Sequence, residues 1–215
     1  NVIGSINIFK NCIKNKVKKV VFVSTGGALY GDTYKPADEK TLPNPDSPYA
    51  AHKLTAEKHL EIFNKTYGLD YVILRPSNIY GPRQYKGGEG AVIAVFTYNA
   101  LNNKESIIYG DGRQTRDFVY VGDVVAACIK SMSRSCQGVF NVGIGKETNL
   151  FDLIKVIEKV VRKKFKFKHK EKRPGEVRRS MLNIDKAKKV LGWEPKISLE
   201  EGIEKTINWL DKKIC

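Results

Sequence analysis

Tyr49 and Lys53 lie four residues apart in "SPYAAHKLTAEKHL", a stretch that opens at Ser47. On a helix this spacing puts both side chains on one face, one turn apart. A phenol of ordinary pKa, about 10, is a weak base at neutral pH, and forming its phenolate there costs about 4 kcal/mol. An ammonium one turn away favours the charged oxygen, so the two residues together have the makings of a general acid/base. The same spacing also arises on solvated helix faces that do no chemistry, and by itself it leaves both readings open.

The elements that would position the pair can be read around it. Ser47 suits a helix N-cap, Pro48 the first helical position and Gly68 the stop, so a helix carrying Tyr49 and Lys53 near its start is predicted. Short β-branched runs at Val20 ("VVFVS"), Tyr71 ("YVILR") and Gly138 ("GVFNVG") alternate with helical patterns. That alternation predicts a mostly parallel sheet with helices on both faces. The first run ends in Ser24, Thr25 and two glycines, and the second leads into "LRPSNIYGP". Both loops would then sit at the carboxyl edge of the sheet, where such folds bind ligands.

From Tyr80 to Asp117 the chain becomes loop-rich, with "YGPRQYKGGEG" and "YGDGRQTRD" flanking a helix-like "AVIAVFTYNALNN", as in a ligand-facing insertion. Thr148 is expected to cap the amphipathic "NLFDLIKVIEKVVRK", and Ser198 with Glu201 forms a capping box for the last helix. The C-terminal third therefore reads as a small α/β lobe. At the other end, "NVIGSINIFKNCIKN" reads as helix, with Ile3, Ile6, Phe9 and Ile13 near helical spacing. Because it begins at Asn1 in what looks like mid-domain, an upstream segment is expected.

With 215 residues and 41% hydrophobic content the chain can bury a sizeable core. No apolar run approaches the roughly 20 residues that span a bilayer, and no signal-peptide pattern is present, so a cytoplasmic protein with no membrane partner is expected. Cys12, Cys128, Cys136 and Cys215 are widely spaced, form no C-x-x-C and have no histidine at ligand spacing. They read as free thiols, and no metal site is expected. The net charge of +15 raises the question of nucleic acid. However, lysines are spread along the chain, and the densest run, "VRKKFKFKHKEKR" from Val161, alternates with phenylalanines as a solvated edge strand does. No nucleic-acid partner is expected.

Seven stretches, "STGGALYG", "SPYAAHK", "LRPSNIYGP", "YGDGRQTRDFVYVGDV", "FNVG", "RPGEVRRS" and "LGWEP", occur in that order. In this set and order the chain resembles the extended short-chain dehydrogenase/reductase family, within it the NAD-dependent epimerases and dehydratases, and nearest the UDP-glucose 4-epimerase type. The resemblance implies an α/β fold: an incomplete Rossmann-like parallel sheet with a smaller α/β substrate-binding lobe. Residues 1–80 would be the remaining part of the NAD-binding domain. Residues 81–215 would be mainly the nucleotide-sugar lobe, with Rossmann elements interleaved at about 118–142.

The same resemblance implies site roles. Tyr49 is the acid/base; Lys53 lowers its pKa and binds the cofactor ribose; Pro76 lies on the nicotinamide side. Family members place an assisting hydroxyl four residues before the tyrosine of the "YG" pair, which here is Gly26. Thr25 is the first choice for that role and Ser24 the second, although both also read as strand terminators. Asn78 matches a phosphate-contacting asparagine, Arg116 and Arg173 match diphosphate-binding arginines, and Glu176 matches an acid that contacts the nucleotide ribose. Read without the family, Arg116 beside Asp117 is a local ion pair and "RPGE" a simple turn. Ser180 falls where the sugar's 2-substituent is bordered, and its small side chain implies room for an N-acetyl group.

Dehydratases and decarboxylases of the family carry carboxylates where this chain has Gly27 and Ala28. The implied activity is therefore a metal-free NAD-dependent 4-epimerase acting on a UDP-sugar, of the UDP-glucose/UDP-galactose type, in a homodimer paired through the helices at Asn1 and Ser47. Another nucleotide-sugar enzyme (uronate epimerase, reductase or dehydratase) and a non-catalytic fragment or binding protein remain as alternatives. No glycine loop of the kind that cradles a cofactor pyrophosphate opens the sequence, so weak NAD binding by these residues alone is expected.

Overall fold

The computed structural model describes residues 1–84, 91–133, 135–173 and 175–214. Residues 85–90 of the predicted glycine-rich loop and Pro174 of "RPGEVRRS" lie outside the described residues. Helix α1 (Val2–Lys14) leads into β1 (Lys19–Val23), and α2 (Pro48–Tyr67) returns the chain to β2 (Asp70–Pro76) and then β3 (Asn78–Tyr80). Next come α3 (Val92–Leu101), β4 (Ser106–Tyr109), β5 (Thr115–Arg116), β6 (Phe118–Tyr120), α4 (Val121–Ser131) and β7 (Gly138–Val142). The elements β8 (Thr148–Asn149), α5 (Leu150–Val161), β9 (Phe167–Lys170) and α6 (Leu199–Ile214) follow.

The three β-branched runs form one parallel sheet in the order β1, β2, β7, with Val21 beside Val72 and Leu74 beside Phe140. Side chains alternate across a strand. Ile73 accordingly packs with Phe9 of α1 and with Leu60 and Phe63 of α2, while Val72 and Leu74 pack with Val124 and Ala127 of α4 and with Trp193. The sheet is thus covered on both faces, as a parallel sheet requires. A separate core of Ile93, Phe96, Ile108, Leu153, Ile157 and Ile203 joins α3, α5 and α6. The strand β3 pairs in parallel with β6, and this short two-stranded sheet begins two residues after β2 ends.

Helix α2 has the predicted punctuation. The Ser47 hydroxyl accepts from the Ala50 amide at 3.2 Å, Pro48 fills the first position, and Gly68 ends the helix at φ 69°, a left-handed conformation that favours glycine. The Ser198 hydroxyl likewise accepts from the Glu201 amide at 3.2 Å. One cap differs from expectation: Asn149, not Thr148, caps α5, its Oδ1 accepting from the Asp152 amide at 2.9 Å. Thr148 pairs instead with Arg116 in the antiparallel contact between β8 and β5, which leaves the next residue to turn into the helix.

The helical stripe of α1 meets the sheet only in part. Phe9 is 1% exposed, but Ile3 is 76% exposed. The basic run forms an exposed edge strand, β9, parallel to β4, and Lys168 pairs with Glu105 at 2.6 Å. Among the described residues no helix is long and apolar enough to cross a membrane, and no cluster of potential metal ligands occurs.

Candidate active site

The loops that follow β1 and β2, the start of α2 and the segment around Glu176 enclose a cavity of about 720 Å³. It lies at the carboxyl edge of the parallel sheet, where strand ends leave backbone groups and side chains facing a crevice. Ser24, Thr25, Tyr49, Lys53, Pro76, Asn78, Arg116 and Glu176 all line it. Residues more than 150 positions apart in sequence therefore face one space.

Tyr49 is 39% exposed, so its ring reaches the cavity without being locked in the core. Lys53 donates from Nζ to the Val23 carbonyl at 2.8 Å and lies 4.9 Å from the centroid of the Phe22 ring. Burial pushes the Lys53 pKa down, and the charge of Glu57 partly offsets this. A half-buried ammonium of this kind has few water partners and favours an anionic oxygen nearby.

The loop after β1 is tied down by its backbone: Gly26 and Gly27 both donate to the Pro76 carbonyl, at 2.6 and 3.2 Å. A side chain at Gly26 would meet Leu182 at 2.7 Å and the Arg75 carbonyl at 2.8 Å, so this position faces the packed interior and not the cavity. Ser24 and Thr25 do line the cavity and are almost fully buried. Ser24 Oγ and Asn78 Oδ1 are buried atoms with no hydrogen-bond partner among the described residues. Unpaired buried oxygens are rare in native proteins and call for an explanation. Gly26→Ser is expected to lower stability by about 1–3 kcal/mol through overpacking without placing a hydroxyl in the cavity, and urea unfolding of the variant measures this.

The far wall is polar. Arg116 donates from Nη1 to the Thr115 carbonyl at 2.8 Å and faces Glu176 at 3.7 Å. That is a loose ion pair that leaves much of the guanidinium fork free to meet an anion. The adjacent Asp117 is not its partner. Fully buried, Asp117 accepts from the amides of Ile144 and Gly145 at 2.9 and 3.1 Å and from Ser77 Oγ at 3.1 Å. It holds the loop after β7 against the Pro76 to Asn78 turn, and its carbonyl accepts from the Asn78 amide at 2.9 Å.

Two residues named from the sequence stand elsewhere. Arg173 stacks its guanidinium 3.8 Å from the centroid of the Tyr109 ring and lines an adjoining recess of about 330 Å³ that shares Asp46 and Glu176 with the cavity. Ser180 is 3% exposed and sits one layer behind the cavity wall, donating to the Gly27 carbonyl at 3.4 Å. Conversely, Asp46 and Gln84 line the cavity but carry no signal in the sequence, because they belong to irregular segments without periodicity.

A sequence profile of the NAD dependent epimerase/dehydratase family matches residues 1–143. The chain is 39% identical over 215 residues to a UDP-glucose 4-epimerase of Mycolicibacterium smegmatis, covering 99% of this chain and 69% of that protein. Among solved structures it is similar to the UDP-glucose 4-epimerase of Thermotoga maritima with UDP-glucose: TM-score 0.96, 43% identity, 100% of this chain and 70% of that one. It is also similar to the Thermus thermophilus UDP-glucose 4-epimerase in complex with NAD, at a TM-score of 0.92 and 36% identity over 98% of this chain and 69% of that one.

Proposed function

The chain belongs to the NAD dependent epimerase/dehydratase family, and from that premise we propose that its cavity is the acid/base and substrate end of a UDP-hexose 4-epimerase. The observation that carries the reading is the meeting of Tyr49 and Lys53 with Arg116 and the unpaired oxygens of Ser24 and Asn78 in one cavity at the sheet edge. The residues present fit the nicotinamide end of NAD. A half-buried ammonium and the Pro76 loop face the cavity, and among the described residues the buried Ser24 hydroxyl and Asn78 amide oxygen have no hydrogen-bond partner. Lys53, Tyr49 and Pro76 would hold that end of the cofactor, and NAD supplies reversible oxidation at carbon 4 when bound.

This chain's own residues control the proton and the pose. Tyr49 Oη takes the proton of the sugar 4-hydroxyl and later gives it back; Lys53, one turn away, stabilises the phenolate between the two transfers. A hydroxyl from the loop after β1 shares that proton, with Thr25 and Ser24 as the two candidates, and separate alanine variants distinguish them. Arg116 exchanges its loose contact with Glu176 for paired hydrogen bonds to the diphosphate, while Glu176 turns to the nucleotide ribose. Arg173 reaches the diphosphate only by leaving its stack on Tyr109. Residues 1–80 with 118–142 would form the cofactor half and the rest mainly the sugar lobe.

The test is direct: incubate the protein with UDP-galactose and NAD, and measure UDP-glucose. Conversion supports the reading. Failure with NAD demonstrably bound would sink it and send the search to UDP-glucuronate.

We also propose a homodimer formed through α1 and α2, supported by exposed Ile3 and Ile8 on the first and Ile62 on the second, at 76%, 61% and 54%. Sedimentation should find a dimer that Ile3→Lys with Ile62→Lys converts to monomer; a wild-type monomer rejects the proposal.

A further inference from the structure

Behind the cavity runs a chain of buried polar side chains that none of the steps above uses. Arg75 donates to Glu57 through Nε at 3.1 Å and Nη2 at 2.6 Å, and through Nη1 to the Tyr30 hydroxyl at 2.8 Å. That hydroxyl donates in turn to Asn141 Oδ1 at 2.9 Å, and Asn141 Nδ2 donates to the carbonyls of Ala37 and Asn183 at 2.9 and 3.2 Å. Glu57 and Asn141 are 0% exposed, and Arg75 and Tyr30 are 4% exposed.

Each link belongs to a different piece of the site. Glu57 lies one turn past Lys53 on α2, Arg75 immediately precedes Pro76 on β2, and Tyr30 lies in the loop that begins with Ser24 and Thr25. Asn141 lies on β7, and the Asn183 carbonyl belongs to the segment that carries Ser180. An apolar contact of the same volume would be at least as stable as a buried ion pair but carries no direction. A forked guanidinium fixes both distance and angle, so this chain specifies how far α2 is slid along the sheet in a way that Leu60 or Phe63 cannot.

We propose that Tyr30, through Arg75 and Glu57, is a positioning residue: it locks α2 to the loop after β1 so that Tyr49 and Lys53 stay in register with the hydroxyls of Ser24 and Thr25. The kinetic part of this proposal rests on the 4-epimerase reading; the mechanical part does not.

Tyr30→Phe removes one oxygen, keeps the ring, and leaves Arg75 Nη1 and Asn141 Oδ1 unpaired. In the whole protein, amide hydrogen exchange is expected to rise about fivefold or more in residues 24–31 and 48–57 while β7 stays protected. The kcat for UDP-galactose is expected to fall about tenfold with KM held within about twofold, as misplacement of reacting groups predicts. Exchange that is unchanged or rises uniformly overturns the proposal, as does full kcat in an active variant. A wild-type protein inactive on UDP-galactose would remove the epimerase reading alone, because the exchange pattern still decides the mechanical one.

Discussion

Tyr49→Phe in the whole protein is expected to lower kcat for the interconversion of UDP-galactose and UDP-glucose by about 10²–10⁴-fold, with the unfolding midpoint unchanged. The size follows from what is removed. Loss of the hydroxyl takes away the group that holds the sugar proton, and a thousandfold loss corresponds to about 4 kcal/mol of barrier. The fold should not notice, because Tyr49 is 39% exposed and sits in the first turn of a helix already held by the Ser47 cap and Pro48. Lys53→Met should lower the rate as well and move its optimum to higher pH, since the phenolate then lacks its nearby cation. Rates followed from pH 6 to 10 separate the two variants. A Tyr49→Phe protein that keeps more than about a tenth of wild-type kcat would return the pair to an ordinary helix face.

How far the sequence leads depends on the kind of interaction. The sheet was legible because Val20, Tyr71 and Gly138 open short runs rich in β-branched and apolar residues, and α2 because its cap, first proline and stop glycine are all local. The cap of α5 was misplaced by one residue because the choice between Thr148 and Asn149 is made by the partner strand at Arg116, more than 30 residues away. Gly26 shows a different limit. Counting residues places it where a hydroxyl is wanted, whereas the contacts with Leu182 and the Arg75 carbonyl show that its side-chain direction is already filled. Arg173 and Ser180 were named from motif position, and motif position does not say whether an arginine finds an aromatic ring to stack on or whether a serine lies in front of a wall or behind it.

The strongest unread signal was Arg75 in "YVILRP". A guanidinium directly after an apolar run and buried with it must have a buried partner, and the helix one element earlier offers Glu57 on the same face as Lys53. The pair is 5% and 0% exposed at its side chains, with Nη2 to Oε2 at 2.6 Å. Burial alone would weaken the charge of Arg75, but the hydrogen bonds and charge of Glu57 outweigh it and push its pKa up. Arg75→Met is therefore expected to destabilise the protein by about 3–5 kcal/mol, because it strands a carboxylate with no access to water. Glu57→Gln should cost less, since the amide oxygen still accepts one bond from the fork. The double variant should cost clearly less than the sum of the two, a coupling that a double-mutant cycle in urea measures directly. Additive costs would mean that Arg75 draws its stability from Tyr30 and the sheet and not from Glu57, so that the link between α2 and β2 would rest on the apolar contacts of Leu60 and Phe63 alone.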